Sequence, residues 1–450
     1  MTSTALARAK DTARRPGLRR GLAAGIEVVA GTPGDHPAVQ QFLGSVLPEL
    51  SGVDFQSQLD EPTYEPSDRL LVKHGQRVAA HLRLTARDMR FGVATLPISY
   101  VADLAVLPEF RGRGYASALL DAAERAMRRE GAVLALLRAS EPEFYQRRGW
   151  VVCGRHSYSA AGCHQVLAHL RPHEVPCVRP LAAASPAPLH IRYLRRVELA
   201  AAIRLHEQHM RHAYGGYART EASWRWLINR RGYERIYVAI EGSPEIELDG
   251  TFSAIVGYAA AKNARLVELV SAPSRPDAAT RLLARFCSDA IEQDLRDIRV
   301  ELAPDHPLHA TMLAAGGVYR RPDVERGQAF MVKVLDPGRL VQALHAEFLA
   351  RLQADKRFAH RELGFVVGGQ PWILEITPHS SRLSAARVRR TYLRCGGPQF
   401  VQLLLGHLDV RQAVSDGLVV ASNPLALDAA SVLVPPLPLW YPPLDDLPAR

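Results

Sequence analysis

The segment Arg111-Gly112-Arg113-Gly114-Tyr115-Ala116 sets two residues without side chains among two guanidinium groups. Glycine permits a tight turn that brings backbone N–H groups inward. Where a helix starts at such a turn, its first amides lack intrahelical partners and its dipole favours negative charge. Arg111 and Arg113 add positive charge at the same point. The chemistry this combination performs is capture of an anion, and a pyrophosphate fits it.

The flanking residues supply the elements that must hold such a turn. From Ala116 onward, Ala116, Leu119, Leu120, Ala123 and Met127 keep helical spacing, while Asp121 with Arg125 and Glu124 with Arg128 pair four apart on the wet side. Gly131 ends that helix. The apolar runs at 98–106 before it and 132–137 after it are short and bounded by breakers. The unit therefore reads strand, phosphate turn, helix, strand, with the two strands parallel.

Two further stretches sharpen this reading: Val106-Leu107-Pro108 ahead of the turn, and Ala139-Ser140-Glu141-Pro142-Glu143-Phe144-Tyr145-Gln146-Arg147-Arg148-Gly149-Trp150 behind it. With Arg-x-x-Gly-x-Ala at 111–116, they resemble the GNAT N-acetyltransferases. The resemblance implies acetyl-CoA as co-substrate, without a metal, and assigns roles by position. The backbone of Leu104, Ala105 and Val106, on a strand splayed from its neighbour, would hold the pantetheine arm and the acetyl carbonyl. Arg111, Gly112, Arg113, Gly114, Tyr115 and Ala116 would take the pyrophosphate. Ser140 and Glu141 would lie near the cofactor, and Tyr145 would protonate the leaving thiolate. A phenol suits that task, because an amine attacking a thioester expels a thiolate. The amine must first lose its proton; a lysine-like amine has a pKa near ~10.4, so a base or a water chain is required. Asp103 falls on the opposite strand face from Leu104, where a structural hydrogen bond and a catalytic role are both open.

Composition sets the frame. The 450 residues, 47% hydrophobic and 23% charged, fit a soluble protein of several domains. No run of ~20 apolar residues is available to span a membrane. Cys153, Cys163, Cys177, Cys287 and Cys395 are scattered and odd in number, which suits a reducing cytoplasm. The net charge of +10 is concentrated: Arg8, Lys10, Arg14, Arg15, Arg19 and Arg20 stand against Asp11 in the first 25 residues, a basic tail expected to be disordered over 1–24. No basic patch interleaved with aromatics calls for nucleic acid.

The expected fold class is mixed α/β in three domains after the tail. Residues 25–185 would form a GNAT fold with splayed central strands. Residues 186–330 would form a second, degenerate GNAT fold, since helices at 197–214, 221–229 and 278–294 alternate with strands at 236–241, 254–262, 265–270 and 297–302, but Ser274-Arg275-Pro276-Asp277 stands where the glycine turn belongs. Residues 331–450, with a long helix at 335–355, a strand pair around Gly368-Gly369-Gln370 and helices at 398–405 and 410–415, resemble a sterol carrier protein-like domain.

That order is similar to the Eis (enhanced intracellular survival) acetyltransferases, which implies a terminal carboxylate as general base, here on Arg450, with Asp445 or Asp446 as alternatives. Eis-like proteins are often hexamers, so a homo-oligomer is a further expectation. The acceptor would be an aminoglycoside, a polyamine or a protein lysine. A different class of function is a non-catalytic sensor of acyl-CoA or lipid, which has no need of Tyr145. Other constellations read as structure. Cys163, His164, His169, His173 and Cys177 are spaced unlike a zinc site and interrupted by Pro172 and Pro176. His206, His209 and His212 read as a surface or interdomain face, and Trp224 and Trp226 as core packing.

Overall fold

The computed structural model describes residues 20–23, 26–170, 187–242, 255–325, 328–355 and 362–447. Most of the basic tail, and residues 171–186 around the expected boundary between the first two domains, lie outside them. The chain divides into two compact units: Met1–Arg87 with Leu96–Arg138 and Val332–Leu340, and Asp88–Thr95 with Ala139–Met331 and Val341–Arg450. Both are of mixed α/β class.

In the first unit, strands β1 (Arg20–Ala23), β2 (Ile26–Ala30), β3 (Arg69–His74), β4 (Arg77–Phe91), β5 (Ala94–Val106) and β6 (Leu134–Ala139) lie side by side in sequence order. β1 was expected within the disordered tail; it instead pairs antiparallel with β2, extending the sheet by one edge strand. Leu70, Leu71 and Val72 of β3 are fully buried, as an unbroken apolar run requires of a strand covered on both faces. Helices α1 (His36–Val46) and α2 (Gly52–Leu59) connect β2 to β3. Asp35 occupies the N-cap position of α1 without a side-chain bond to the helix; its carboxylate accepts from the Thr32 N–H and hydroxyl at 2.9 and 2.8 Å, closing the turn before it. Helix α3 (Tyr115–Arg129) joins the parallel pair β5 and β6 and packs on β2 and β3 through its apolar stripe.

The second unit contains a seven-stranded sheet in the order Val318–Arg320, Tyr158–Gly162, Asp297–Val300, Arg265–Ser271, Ile255–Lys262, Arg235–Glu241, Leu189–Tyr193. Period-two alternation assigns its two faces. Tyr237, Ala239, Ala259 and Ala261 meet helix Asp277–Glu292 on one face. Ile236, Val238, Ile240, Tyr258 and Ala260 meet helix Leu199–Met210, Trp224, Leu444 and Leu447 on the other. The strand–helix–strand order recurs, with Arg265–Ser271 and Asp297–Val300 parallel. Tyr158–Gly162 was expected inside the first domain, to residue 185, yet it pairs antiparallel with Asp297–Val300 in this sheet.

A five-stranded sheet completes the unit, in the order Ser381–Ala385, Gln370–Ile376, Glu362–Val367, Tyr392–Cys395, Val419–Ala421. Its central hairpin pairs Val367 with Gln370 across Gly368 and Gly369, both at positive φ, as a two-residue turn demands. The single helix expected over 335–355 is two, Pro337–Ala343 and His345–Ala354, separated at the buried Leu344.

Candidate active site

At the end of β5, the Leu107 N–H donates to the Ala79 carbonyl at 3.0 Å and one 3-10 turn, Pro108–Phe110, redirects the chain. Phe110 is buried and anchors the glycine turn: its ring stacks on Tyr115 at 6.1 Å and carries the Arg113 guanidinium at 5.2 Å. Gly112 (φ 77°) and Gly114 (φ 80°) take the left-handed conformations that form the turn, and Gly114 is the N-cap of α3. A Cβ at either glycine would meet nothing within 4 Å. The space in front of the α3 N-terminus is therefore open on the protein side. Arg111 donates through Nε to the Val106 carbonyl at 3.4 Å and Arg113 to the Glu109 carbonyl at 3.3 Å, which ties both stems to the turn while the residues stay exposed. First-turn amides without intrahelical partners, two guanidinium groups and a helix dipole make this an anion cradle.

The ladder between β5 and β6 pairs Ile98 with Leu134, Ser99 with Ala135 and Tyr100 with Leu136, and ends there. β5 continues alone on that edge to Val106. Because the Leu107 amide faces β4, alternation turns the Ala105 amide the same way and those of Leu104 and Val106 toward the unpaired edge. Asp103 precedes them at φ 53°, a left-handed residue inside a strand. Its carbonyl accepts from His81 Nδ1 at 2.9 Å and its carboxylate from Arg83 Nε at 3.0 Å. Neither His81 nor Arg83 was singled out from the sequence. The signal was present: His81, Arg83 and Thr85 put polar groups on one face of an apolar strand.

In the second unit, Tyr145 sits on the short helix Pro142–Gln146, opened by Pro142 at its first position. Its ring meets Phe144 and Trp150 edge-on, with centroids 5.0 and 6.1 Å apart. Burial, with the Glu141 carboxylate adding to it, pushes the phenol up to about 12. It therefore keeps its proton at neutral pH, the state a proton donor needs. Ser140 and Glu141 are exposed at the start of this helix.

Arg450 lies outside the described residues. Asp445, one alternative base, is buried and receives Arg219 through two hydrogen bonds of 2.9 Å, so it serves as an anchor. Asp446 is exposed. The turn Ser274-Arg275-Pro276-Asp277 takes an ion pair in place of an anion: Arg275 grips Asp277 at 3.0 and 2.9 Å and also pairs with Glu241. Asp277, the first residue of its helix, thus supplies the negative charge the dipole favours. Of the histidines read as a surface or interdomain face, His206 is buried in the core, bonding the Tyr258 hydroxyl at 2.8 Å, while His209 and His212 are exposed. Trp224 is core, and Trp226 stacks under the Arg230 guanidinium. Among the described residues no three His, Cys, Asp or Glu side chains gather as a metal site, and no helix is long and apolar enough to cross a membrane.

A family model described as an acetyltransferase (GNAT) domain matches residues 30–153. Comparison of the sequence with curated proteins found no match. Solved structures match over nearly the whole chain at low identity. A GCN5-related N-acetyltransferase from Anabaena variabilis is 13% identical with a TM-score of 0.68, covering 92% of this chain and 99% of its own. One from Kribbella flavida is 16% identical with a TM-score of 0.66, covering 94% and 98%. Eis1 from Mycobacterium abscessus is 16% identical with a TM-score of 0.60, covering 90% and 96%. These likenesses extend the shared fold beyond the matched segment. The segment that matches the GNAT acetyltransferase model, residues 30–153, contains the anion cradle and Tyr145, and this match supports an N-acetyltransferase.

Proposed function

We propose that the chain transfers the acetyl group of acetyl-CoA to a primary amine of a small molecule or peptide (an aminoglycoside, a polyamine or a lysine side chain) by direct attack in a ternary complex. The observation that carries this reading is the open, doubly arginine-flanked turn at the α3 N-terminus, beside a β5 edge whose ladder has ended. Arg111 to Ala116 take the pyrophosphate, and the backbone of Leu104, Ala105 and Val106 holds the pantetheine arm and the acetyl oxygen, with Ser140 and Glu141 near the cofactor. The amine nitrogen attacks the thioester carbon; the C–N bond forms, the C–S bond breaks, and the Tyr145 phenol gives its proton to the departing sulfur. The amine gives its proton to a base. For that base we propose the terminal carboxylate of Arg450, as the resemblance implies, with Asp446 or a water chain as the alternatives, Asp445 being already held by Arg219.

The wider reading is a tandem GNAT arrangement followed by a sterol carrier protein-like domain, as in Eis-like proteins, acting in the cytoplasm as a homo-oligomer. The repeated parallel strand–helix–strand unit at Arg265–Ser271, Asp277–Glu292 and Asp297–Val300 supports the first part, and the helix-flanked five-stranded sheet supports the second.

The test is mass-spectrometric detection of acetylated product from a panel of aminoglycosides, polyamines and lysine peptides, comparing the protein with Tyr145→Phe. The expected result is product from one acceptor class, with turnover down about a hundredfold in the variant and acetyl-CoA affinity held. Acetyl-CoA binding without acetylation of any amine would favour a sensor, and absence of binding would sink both readings.

A further inference from the structure

Asp103 is the one non-glycine residue with positive φ, 53°, among the described residues of the first unit. An L-residue there pays a steric penalty of roughly 1–2 kcal/mol, least for Asn and Asp, and keeps the conformation only where its surroundings over-determine it. Here two chains of buried groups converge on it.

One chain holds its carbonyl. His81 is fully buried, with Nδ1 2.9 Å from the Asp103 oxygen and Nε2 3.1 Å from an Arg69 terminal nitrogen. A guanidinium only donates, so Nε2 accepts, the proton resides on Nδ1, and Nδ1–H donates to Asp103. Burial, then the Arg69 charge, push His81 down to about 3, so this tautomer stays neutral at working pH. Arg69 is itself 1% exposed and fixed by Gln58 at 2.9 Å, by the Tyr64 hydroxyl at 3.0 Å and by the Phe55 ring beneath it.

The other chain holds its carboxylate. Arg83 donates to it at 3.0 Å while reaching Thr85 at 3.2 Å and Glu61 at 3.4 Å, and Glu61 pairs in turn with Arg87. Burial, the largest single influence, would raise the Asp103 carboxyl, but the neighbouring charges and hydrogen bonds, those of Arg83 foremost, together outweigh it and leave the group below its ordinary value. An acid so occupied makes a poor proton acceptor.

The kink lies between the last β5–β6 pair, at Tyr100, and the amides of Leu104 and Val106 on the unpaired edge. A left-handed residue inside a strand re-aims the residues after it. We infer that Asp103 and His81 are positioning residues that hold the β5 kink so that these amides point at the thioester carbonyl oxygen. This rests on the acetyl-transfer reading. Donors aimed where negative charge develops are worth about 10²–10³ in turnover, and small displacements forfeit much of it.

The experiment compares wild type with Asp103→Asn, Asp103→Ala, His81→Asn and His81→Ala in the full chain. Asn at 103 tolerates positive φ and keeps an acceptor for Arg83, and Asn at 81 keeps an N–H for the Asp103 carbonyl. The alanine variants should lose about 10- to 100-fold in kcat, with KM for acetyl-CoA within about twofold, and the asparagine variants should stay within about threefold of wild type. Infrared spectra of bound acetyl-CoA labelled at the carbonyl carbon supply a second readout. Wild type and both asparagine variants should lower the C=O stretch on binding, and the alanine variants should not. Should an alanine variant fail to fold, Asp103→Gly, which adopts the kink freely but releases the Arg83 anchor, should show the same loss. Asp103→Asn as inactive as Asp103→Ala would make the carboxylate a base and overturn the inference, as would a lowered stretch in every variant. A wild type that binds no acetyl-CoA would overturn the acetyl-transfer reading itself, and this inference with it.

Discussion

Arg219 joins Asp445 to the core of the second unit: its Nε and one terminal nitrogen each donate to the Asp445 carboxylate at 2.9 Å, and its terminal nitrogens hold Glu268 at 2.9 and 2.6 Å. All three side chains are 5% exposed or less. One cation serves two buried anions, so the consequence of removing each partner differs. Arg219→Met leaves two carboxylates without it and should cost about 3–5 kcal/mol. Asp445→Asn leaves Arg219 paired with Glu268 and should cost about 1–2 kcal/mol. Urea denaturation followed by tryptophan fluorescence checks the order; equal losses would mean that the ion triad is not what holds this region.

The segment leading to Asp445 is also held by its backbone. The Trp440 N–H donates to the Tyr214 carbonyl at 2.9 Å, and a Cβ at Gly215 would stand 2.4 Å from the Trp440 oxygen, at φ 104°. Neither atom can yield as a flexible side chain does. Gly215→Ala should therefore displace residues 440–447, detected as faster hydrogen exchange there, while the five-stranded sheet keeps its protection. Unchanged exchange at Trp440 would show that the contact is not formed.

The phosphate turn differs in kind from Gly215. Gly112 and Gly114 also have positive φ, but nothing in the protein stands within 4 Å of an added Cβ. The intrinsic cost of Gly114→Ala is then the backbone strain alone, about 1 kcal/mol, and the unfolding midpoint should move little. If a bound pyrophosphate fills the space, KM for acetyl-CoA should rise tenfold or more with kcat nearly held. An unchanged KM would remove this turn from the binding site.

Local pattern made the cradle legible. Glycines, an apolar stripe and breakers around 98–137 yield β5, α3 and β6 with the right connection, and the Gly368-Gly369 hairpin is read the same way. What escaped depends on long-range pairing or on a single dihedral. Tyr158–Gly162 has nothing in its own residues to announce Asp297–Val300 as its partner. Asp103 looked like one more step in an alternating strand, because alternation presumes ordinary φ, and one left-handed residue breaks that premise. The groups that hold it, Glu61, Arg69, His81 and Arg83, come from separate places in the chain, so no spacing rule collects them. His206 was grouped with His209 and His212 on one surface or interdomain face; only burial against Tyr258 and Trp224 separates it from them.

The buried histidines set how the chain responds to acid. Burial, more than any charge, pushes His81 and His306 down to about 3 and His407 to about 4. Unfolded, each would take up a proton near its ordinary value of 6.5; folded, each refuses it until the pH is far lower. Between those limits the unfolded chain binds more protons, so stability must fall as pH falls from about 6.5 toward 4, by up to ~1.4 kcal/mol per pH unit for each such histidine. The depressed Asp103 carboxyl has the same sign, its contribution being lost further down as pH drops through its folded value. His81→Asn removes one of these protons without removing the donor to Asp103. The variant should be less stable than wild type at pH 7.5 but lose stability less steeply on acidification, so the two curves converge toward pH 4.5. Urea midpoints measured at half-unit intervals check this. Parallel curves would mean that His81 carries its proton in the folded chain, and with it that Arg69 does not face Nε2 as described.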